Sequence, residues 1–247
     1  MAVKQAKQAK QAKQVIDKSK LVSISLKNSK LGFVPSFSTT PGADHGCAQS
    51  ETGGCDPNAD HRTDVDWQLC YVWNYYRQYK ETRDAYNRNL SLIHTDLESV
   101  ESQIKAHLLL TQPKKFRWHV SGDIISLDYL QMMVRLAKRF KQTIFLAYTK
   151  AIRVLRKIDR ASIPDNLIVF ISSMSEAQTK HIQSDNQLSQ YPIAYCSADL
   201  DADQNVPNNH SRLAGYVNCP EQITDGKIKC DTCQVCWQGK QVRFYPH

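Results

Sequence analysis

The sequence predicts an α/β protein built on a parallel, partial (β/α) barrel-like sheet, with a basic N-terminal tail and a cysteine-rich C-terminal extension. Two observations carry the fold. Apolar runs recur through the middle of the chain, and roughly 10–20 residues of helical pattern separate them, the arrangement of βαβ units. Each run ends in polar or glycine residues, as at Ser121-Gly122-Asp123 and Tyr148-Thr149-Lys150. A third observation sets the far end apart: half of the eight cysteines lie between Asn218 and Trp237.

Residues 1–20 form the tail. Lys4–Gln14 repeats a three-residue unit of Lys, Gln and Ala. These residues favour helix, but a period of three drifts around a turn of about 3.6 residues and leaves no apolar stripe. The tail therefore reads as solvated. The net charge is +8, and five of those charges lie here, where six lysines face Asp17. The basic character is that of a tail, not of a folded nucleic-acid face.

Leu21–Lys27 alternates like a half-buried strand, and Asn28–Gly46 reads as a loop with an extended piece at Phe33–Ser38. Residues 66–110 contain no Gly or Pro and read as one or two helices. Tyr71, Tyr75 and Tyr79 recur at i, i+4 and i+8, a stripe expected to pack. Phe116–Asp123 is then a strand and Ser126–Phe140 a helix with Ser126 as its N-cap. Thr143–Lys150 is a strand, Ala151–Ile158 a short helix and Asn166–Ser173 a strand. Residues 175–185 are a helix and Pro192–Ala198 a strand. The polar run Asp199–Asn209 marks a boundary, so the barrel-like domain spans 21–200 and the extension 201–247.

The totals narrow the class. The chain has 247 residues, 41% hydrophobic and 23% charged, which suits one globular domain or two small ones. No apolar run reaches the roughly 18 residues of a membrane span, so no membrane partner is expected. No secretory segment is evident, and the expected compartment is the cytoplasm. There, clustered thiols point to metal or redox chemistry before disulfides. No phosphate-binding Gly-x4-Gly-Lys loop, glycine-flanked serine elbow or His-Glu-x2-His motif occurs.

Parallel sheets and barrels bind ligands at the carboxyl ends of their strands. Gly122 would let a ligand approach the backbone, and Asp123 would offer a carboxylate. In the strand from Phe116, alternation places Phe116, Trp118 and Val120 on one face and Arg117, His119 and Ser121 on the other. A polar face on a parallel strand suggests a site lining, although a satisfied buried network is the rival. Arg117, His119, Tyr148, Lys150 and Ser172 are the candidate lining residues, with Ser121, Gly122 and Asp123 as candidate cofactor contacts.

The C-terminal cysteines form a C-x10-C-x2-C-x2-C array of Cys219, Cys230, Cys233 and Cys236. The compact three-cysteine core brings thiolates onto one centre, as in ferredoxin-type loops, and favours a four-iron cluster. Zinc is the rival metal, since it also takes four thiolates. Cys47, Cys55 and Cys70 form a looser C-x7-C-x14-C set, suited to a cluster with an open iron or to zinc completed by His45 or His61. His210 and His247 are further candidate ligands.

The runs NSKLGFVPSFSTTPG, HVSGD, FLAYTK, CPEQ and CDTCQVCW together resemble the phage gene product 88 family, from about Asn28 onward. That resemblance implies a phage protein and no assigned activity. A more distant similarity is to radical S-adenosylmethionine enzymes, whose partial barrel carries a three-cysteine loop after its first strand and a Gly-Gly-Glu-like motif after its second. It implies that Cys47, Cys55 and Cys70 hold a cluster binding S-adenosylmethionine near Ser121, Gly122 and Asp123. The C-terminal array would then be an auxiliary cluster. The cysteine spacing is longer than that family's compact loop, and Ser-Gly-Asp stands where it has Gly-Gly-Glu. The alternative is a metal-stabilised nucleic-acid-binding or replication-associated protein that uses its lysine tail. A structural zinc protein that binds another protein is the third reading.

Overall fold

The computed structural model describes residues 17–42, 45–47, 70–196 and 215–244. Strands β1 (Ile24–Ser25) and β2 (Ser36–Phe37) come first. Helices α1 (Tyr71–Gln78), α2 (Lys80–Thr95) and α3 (Leu97–Thr111) follow. Strand and helix then alternate as β3 (Lys115–Trp118), α4 (Leu127–Arg139), β4 (Ile144–Thr149), α5 (Ile152–Leu155), β5 (Leu167–Ser173), α6 (Glu176–Ser184) and β6 (Ile193–Cys196). The last segment gives β7 (Val217–Asn218), α7 (Pro220–Ile223) and β8 (Val242–Phe244).

These strands make one sheet in the order β1-β2-β3-β4-β5-β6-β8-β7. Only the β1–β2 pair is antiparallel. The expected α/β class and parallel sheet are present. From β2 to β6 the strand order follows the sequence, so each crossover steps the same way across the sheet. The edges are β1 and β7, which do not pair with each other.

Local chemistry sets the helices. Ser126 caps α4 by accepting from the Tyr129 amide at 3.1 Å, as its position predicts. Asp128 lies in the first turn of α4 and Lys138 and Arg139 in its last, matching the helix dipole. Ser175 caps α6 through the Gln178 amide, and Asp96 caps α3 through Ser99. Asn166 gathers the carbonyls of Ala137, Phe140 and Thr143, which closes the end of α4 onto the start of β5.

Alternation along the strands builds two apolar layers. One holds Phe116, Trp118, Phe145, Ala147, Val169 and Ile171 against α2, α3 and α4, through residues such as Leu90, Ile104 and Met133. The other holds Leu146, Phe170, Ala194 and Val242 against Leu31, Val34, Cys219 and Trp237. The cysteine-rich segment thus covers the second face and also adds β7 and β8 to the sheet. The centre of β5 is apolar on both faces, as a fully covered parallel strand is.

Three expectations are corrected here. The strand from Phe116 was expected to reach Asp123, but it stops at Trp118 because His119 takes a left-handed φ of 55°. The Leu21–Lys27 strand shortens to Ile24–Ser25. Buried Asn89 of α2 takes up part of its pairing, accepting from the Ser23 amide at 2.7 Å and donating to the Ser23 carbonyl at 2.9 Å. The tyrosine stripe does not pack: Tyr75 and Tyr79 are 55% and 49% exposed and stack on each other, centroids 6.1 Å apart. The side chain of Tyr71 and the boundary run 199–209 lie outside the description.

Candidate metal centre

The C-terminal cysteines are placed by hydrogen bonds from distant parts of the chain. The Cys219 amide donates to Arg243 at 2.9 Å, which ties the start of α7 to β8. The Cys230 amide donates to Lys30 at 3.1 Å, and Asp231 accepts from the Phe33 amide at 3.1 Å. Gly32 is needed at this approach: its φ is +67°, and a Cβ there would meet the Asp231 carboxylate at 2.0 Å. The Trp237 indole donates to the Cys230 carbonyl at 2.8 Å from within the second-face core.

Lys115, at the start of β3, closes the loop from below. Its ammonium donates to the carbonyls of Asp231 at 2.8 Å, Cys233 at 3.2 Å and Cys230 at 3.5 Å, and lies 5.2 Å from the Trp237 ring centroid. Burial depresses its pKa, against the pull of Cys233 and Asp231. Lys30 pairs with Glu221 at 3.3 Å on another side.

The sulfurs share one neighbourhood. Burial pushes the Cys230 thiol up to about 12; Arg117 opposes this and Cys219 adds to it. Burial pushes Cys236 up to about 11, opposed by a hydrogen bond from the Tyr148 hydroxyl. Cys219 is also raised by burial. Cys233 acts on Cys236 and on Lys115. Among the described residues no three His, Cys, Asp or Glu side chains stand together as a ready metal cage. The donor chemistry is that of half-buried to buried thiols, which can bind a metal once deprotonated. Nε of Arg117 is among several buried side-chain atoms of the described residues that have no hydrogen-bond partner.

The predicted lining residues separate. Arg117 and Tyr148 join the cysteines: the guanidinium carbon lies 4.0 Å from the Tyr148 ring centroid, and Arg117 also donates to the His119 carbonyl at 3.1 Å. His119 does not line that face, a correction that follows from its positive φ. Its ring turns to the helix layer, 3% exposed, with Nε2 2.9 Å from the Tyr129 hydroxyl. Burial, then the charge of Arg117, lowers it to about 3. Ser172 is half-buried on β5, next to Ala194 in register. The Lys150 amide donates to Asp123 at 2.8 Å.

Ser121, Gly122 and Asp123 are taken up by the protein itself. Ser121 donates to the Thr39 carbonyl at 2.8 Å, and the Thr39 amide donates to the Ser121 carbonyl at 3.0 Å. Gly122, at φ +82°, admits Thr39, whose Oγ1 a Cβ would meet at 1.9 Å; the close approach is by this loop, not a ligand. Asp123 is 5% exposed and accepts from Thr149 at 2.5 Å and from the amides of Ile124 at 2.6 Å and Lys150 at 2.8 Å. Burial raises its pKa, against these bonds. The carboxylate locks the ends of β3 and β4.

Cys47 and Cys70 are half-buried. The Cys47 amide donates to Gly42 at 2.9 Å, Cys70 precedes α1, and His45 is exposed. The Asp123 amide donates to Gly46 at 2.6 Å and so holds the loop before Cys47. Cys55, His61, His210 and His247 lie outside the described residues. Sequence reasoning missed Lys115, Lys30 and Trp237. Lys115 shares the strand face of Arg117, but the apolar pattern starts that strand at Phe116, one residue after its observed start.

A family model described as gene product 88 matches residues 1–239. No curated protein and no solved structure matches the chain.

Proposed function

The chain belongs to the gene product 88 family, and from that premise we propose that it is a metal–thiolate protein. Its C-terminal cysteines would hold an iron–sulfur cluster, with zinc as the rival metal. The carrying observation is that Cys219, Cys230 and Cys236 pack against one sheet face, in a loop whose Cys230 and Cys233 carbonyls Lys115 holds. The three-cysteine core supplies ligands at ferredoxin-like spacing. Binding draws thiolates inward and displaces their protons, so a site of this kind closes only as the metal arrives.

The catalytic form of this reading is a radical S-adenosylmethionine-like enzyme. Its support is chain order: β2 is the first parallel strand and precedes Cys47, Cys55 and Cys70, and β3, the second, is followed by Ser121-Gly122-Asp123. That form asks Thr39 and Thr149 to release groups they now hold, so the geometry favours the C-terminal array as the working centre.

Anaerobic purification, with iron and sulfide or with zinc supplied, tests the proposal through metal analysis and visible absorption. The expected outcome is stoichiometric metal that is lost in Cys230→Ser. Protein that binds neither metal, or a variant that binds as well as wild type, overturns it. Zinc uptake alone removes the redox and catalytic forms.

The exposed Tyr75–Tyr79 stack favours one second reading, binding of single-stranded nucleic acid with help from the lysine tail. Affinity for a labelled oligonucleotide should fall with salt and fall again in Tyr75→Ala/Tyr79→Ala. Equal affinity in that double variant excludes it.

A further inference from the structure

Charge outside the tail is unevenly placed. Residues 102–122 and 129–158 contain no Asp or Glu, and they hold four and eight Lys and Arg respectively. Some of these are committed elsewhere: Lys115 clamps the cysteine loop, Arg135 pairs with Glu101 at 2.6 Å, and Arg156 pairs with Asp185 at 3.0 Å. Four others meet at the amino-terminal edge of the sheet. The Ile144 amide donates to the Lys114 carbonyl at 2.9 Å, and the Thr143 hydroxyl donates to the Pro113 carbonyl at 2.7 Å. These bonds hold Lys114, just before β3, beside the turn that carries Lys141 into β4. The Thr143 amide closes that turn on the Phe140 carbonyl at 3.0 Å, directly after Lys138 and Arg139 in the last turn of α4. Lys114, Lys138, Arg139 and Lys141 are all exposed, and among the described residues no carboxylate pairs with them. The edge is bounded by Asp165, two residues before β5, and on the other face by Asp231, which the Phe33 amide already engages. The dipole of α4 accounts for Lys138 and Arg139. Lys114 and Lys141 lie outside any helix, so the cluster exceeds what the helix end needs.

The tail enters the fold close by. Gln103 of α3 donates to the Lys20 carbonyl at 2.8 Å and accepts from the Val22 amide at 2.9 Å, which docks the exposed Lys18–Lys20 turn on α3. Two residues earlier, Glu101 makes its pair with Arg135, one turn before Lys138 and Arg139. Residues two apart lie on opposite sides of a helix, so the docked turn is about one helix diameter, ~10–12 Å, from that contact. An extended chain spans up to about 3.5 Å per residue, so Lys13 and the lysines before it are tethered within reach of the edge. We infer that this sheet edge is a phosphate-binding face for duplex nucleic acid, and that the tail is its second arm. Duplex DNA presents one negative charge per about 1.7 Å, dense enough to engage the cluster and the tethered lysines at once. Tethering makes the second contact intramolecular, so edge and tail together bind more tightly than either alone. The turn that carries these cations has one aromatic ring, Phe140, and it packs against the core. The contact is therefore to the backbone, with no base stacking and no sequence preference. An anionic lipid surface is the weaker fit. Exposed Leu109 and Leu110 give α3 an apolar tip, but the Lys-Gln-Ala repeat has no apolar stripe to bury in a bilayer. The inference uses neither the cysteines nor the Tyr75–Tyr79 stack and shares only the tail with the single-strand reading, so its failure leaves both earlier readings standing.

The test titrates full-length protein against a short labelled DNA duplex of arbitrary sequence over a range of salt concentrations. Log affinity should fall linearly with log salt, with a slope of about −0.9 for each phosphate engaged. The edge variant Lys114→Gln/Lys138→Gln/Arg139→Gln/Lys141→Gln should lose about three to four units of that slope. The tail variant Lys4→Gln/Lys7→Gln/Lys10→Gln/Lys13→Gln should lose a similar amount. Each should weaken binding on the order of 100-fold at low salt, because the second contact is lost. A wild type that does not bind the duplex overturns the inference. An edge variant with wild-type slope and affinity also overturns it, because all binding then belongs to the tail. Binding to phosphatidylglycerol vesicles that Leu110→Gln removes, with no binding to the duplex, makes lipid the partner and overturns it as well. Circular dichroism checks folding. If the edge variant fails to fold, Lys114→Gln/Lys141→Gln decides, with an expected slope loss of about two, and a wild-type slope there counts against the inference.

Discussion

Arg117 and Tyr148 come from adjacent parallel strands, yet they stack with the guanidinium carbon 4.0 Å from the ring centroid. The register explains it. Arg117 pairs with Leu146, and Tyr148 is the next residue on that face of β4. The contact is therefore fixed by the sheet and does not depend on the cysteine segment lying above it. A variant that loses metal can keep this platform, which makes metal loss separable from misfolding.

Replacing Cys236 by Ser should abolish the stability that metal adds to the wild type. At a free metal concentration about 100 times the dissociation constant, that increment is about 2.7 kcal/mol. Urea denaturation with and without a chelator measures it. A chelator effect of equal size in Cys236→Ser would argue that the ligands lie elsewhere.

Lys115→Met keeps much of the aliphatic stem but leaves the carbonyls of Asp231 and Cys233 without their cationic donor. Hydrogen bonds to charged groups contribute about 1.5–3 kcal/mol. A loss of that order is expected in the denaturation midpoint, and hydrogen exchange should rise across residues 229–236. Unchanged protection in that loop would contradict the clamp.

Gly122→Ala combines a left-handed φ with a Cβ set against Thr39. The expected loss is about 1–3 kcal/mol. Shortening the opposing side chain, in Gly122→Ala/Thr39→Ala, should return part of it. Additive losses in this double-mutant cycle would show that the contact is not the source.

His119 gives a pH signature. Its folded pKa is lowered to about 3, first by burial and then by Arg117. An unfolded histidine titrates near 6.5, so between these values the unfolded chain binds more protons. The neutral ring's contribution is therefore whole above about pH 6.5 and is lost as pH falls toward 3. His119→Gln does not titrate and still offers an amide to Tyr129. Its stability should fall less steeply over that window, read from denaturation midpoints at several pH values. Parallel slopes would rule out His119 as the source.

The parallel sheet and most helices were readable because period-2 apolar runs and serine caps are local signals. Ser126 and Ser175 stand where capping rules put them, and β4 and β5 fall inside their expected runs. The turning of His119 was not readable, because a single positive φ in a non-glycine residue leaves no mark on a hydropathy pattern. The use of Ser121, Gly122 and Asp123 as a lock on the Thr39 loop was hidden for another reason. Ser121 and Thr39 are 82 residues apart, and only the β2–β3 pairing brings them together. The cysteines were visible as candidate ligands, but the cations beside them required knowing which face each strand residue takes.

The position of β8 between β6 and β7 has a consequence for how the molecule is made. During synthesis from the N-terminus, β2 to β6 can pair in the order they emerge. The face carrying Leu146, Phe170 and Ala194 then has only Leu31 and Val34 to cover it until the segment from Cys219 to Phe244 arrives. Nascent chains paused after β6 should therefore be the aggregation-prone species, and laying down the cysteine segment is the step that ends that exposure.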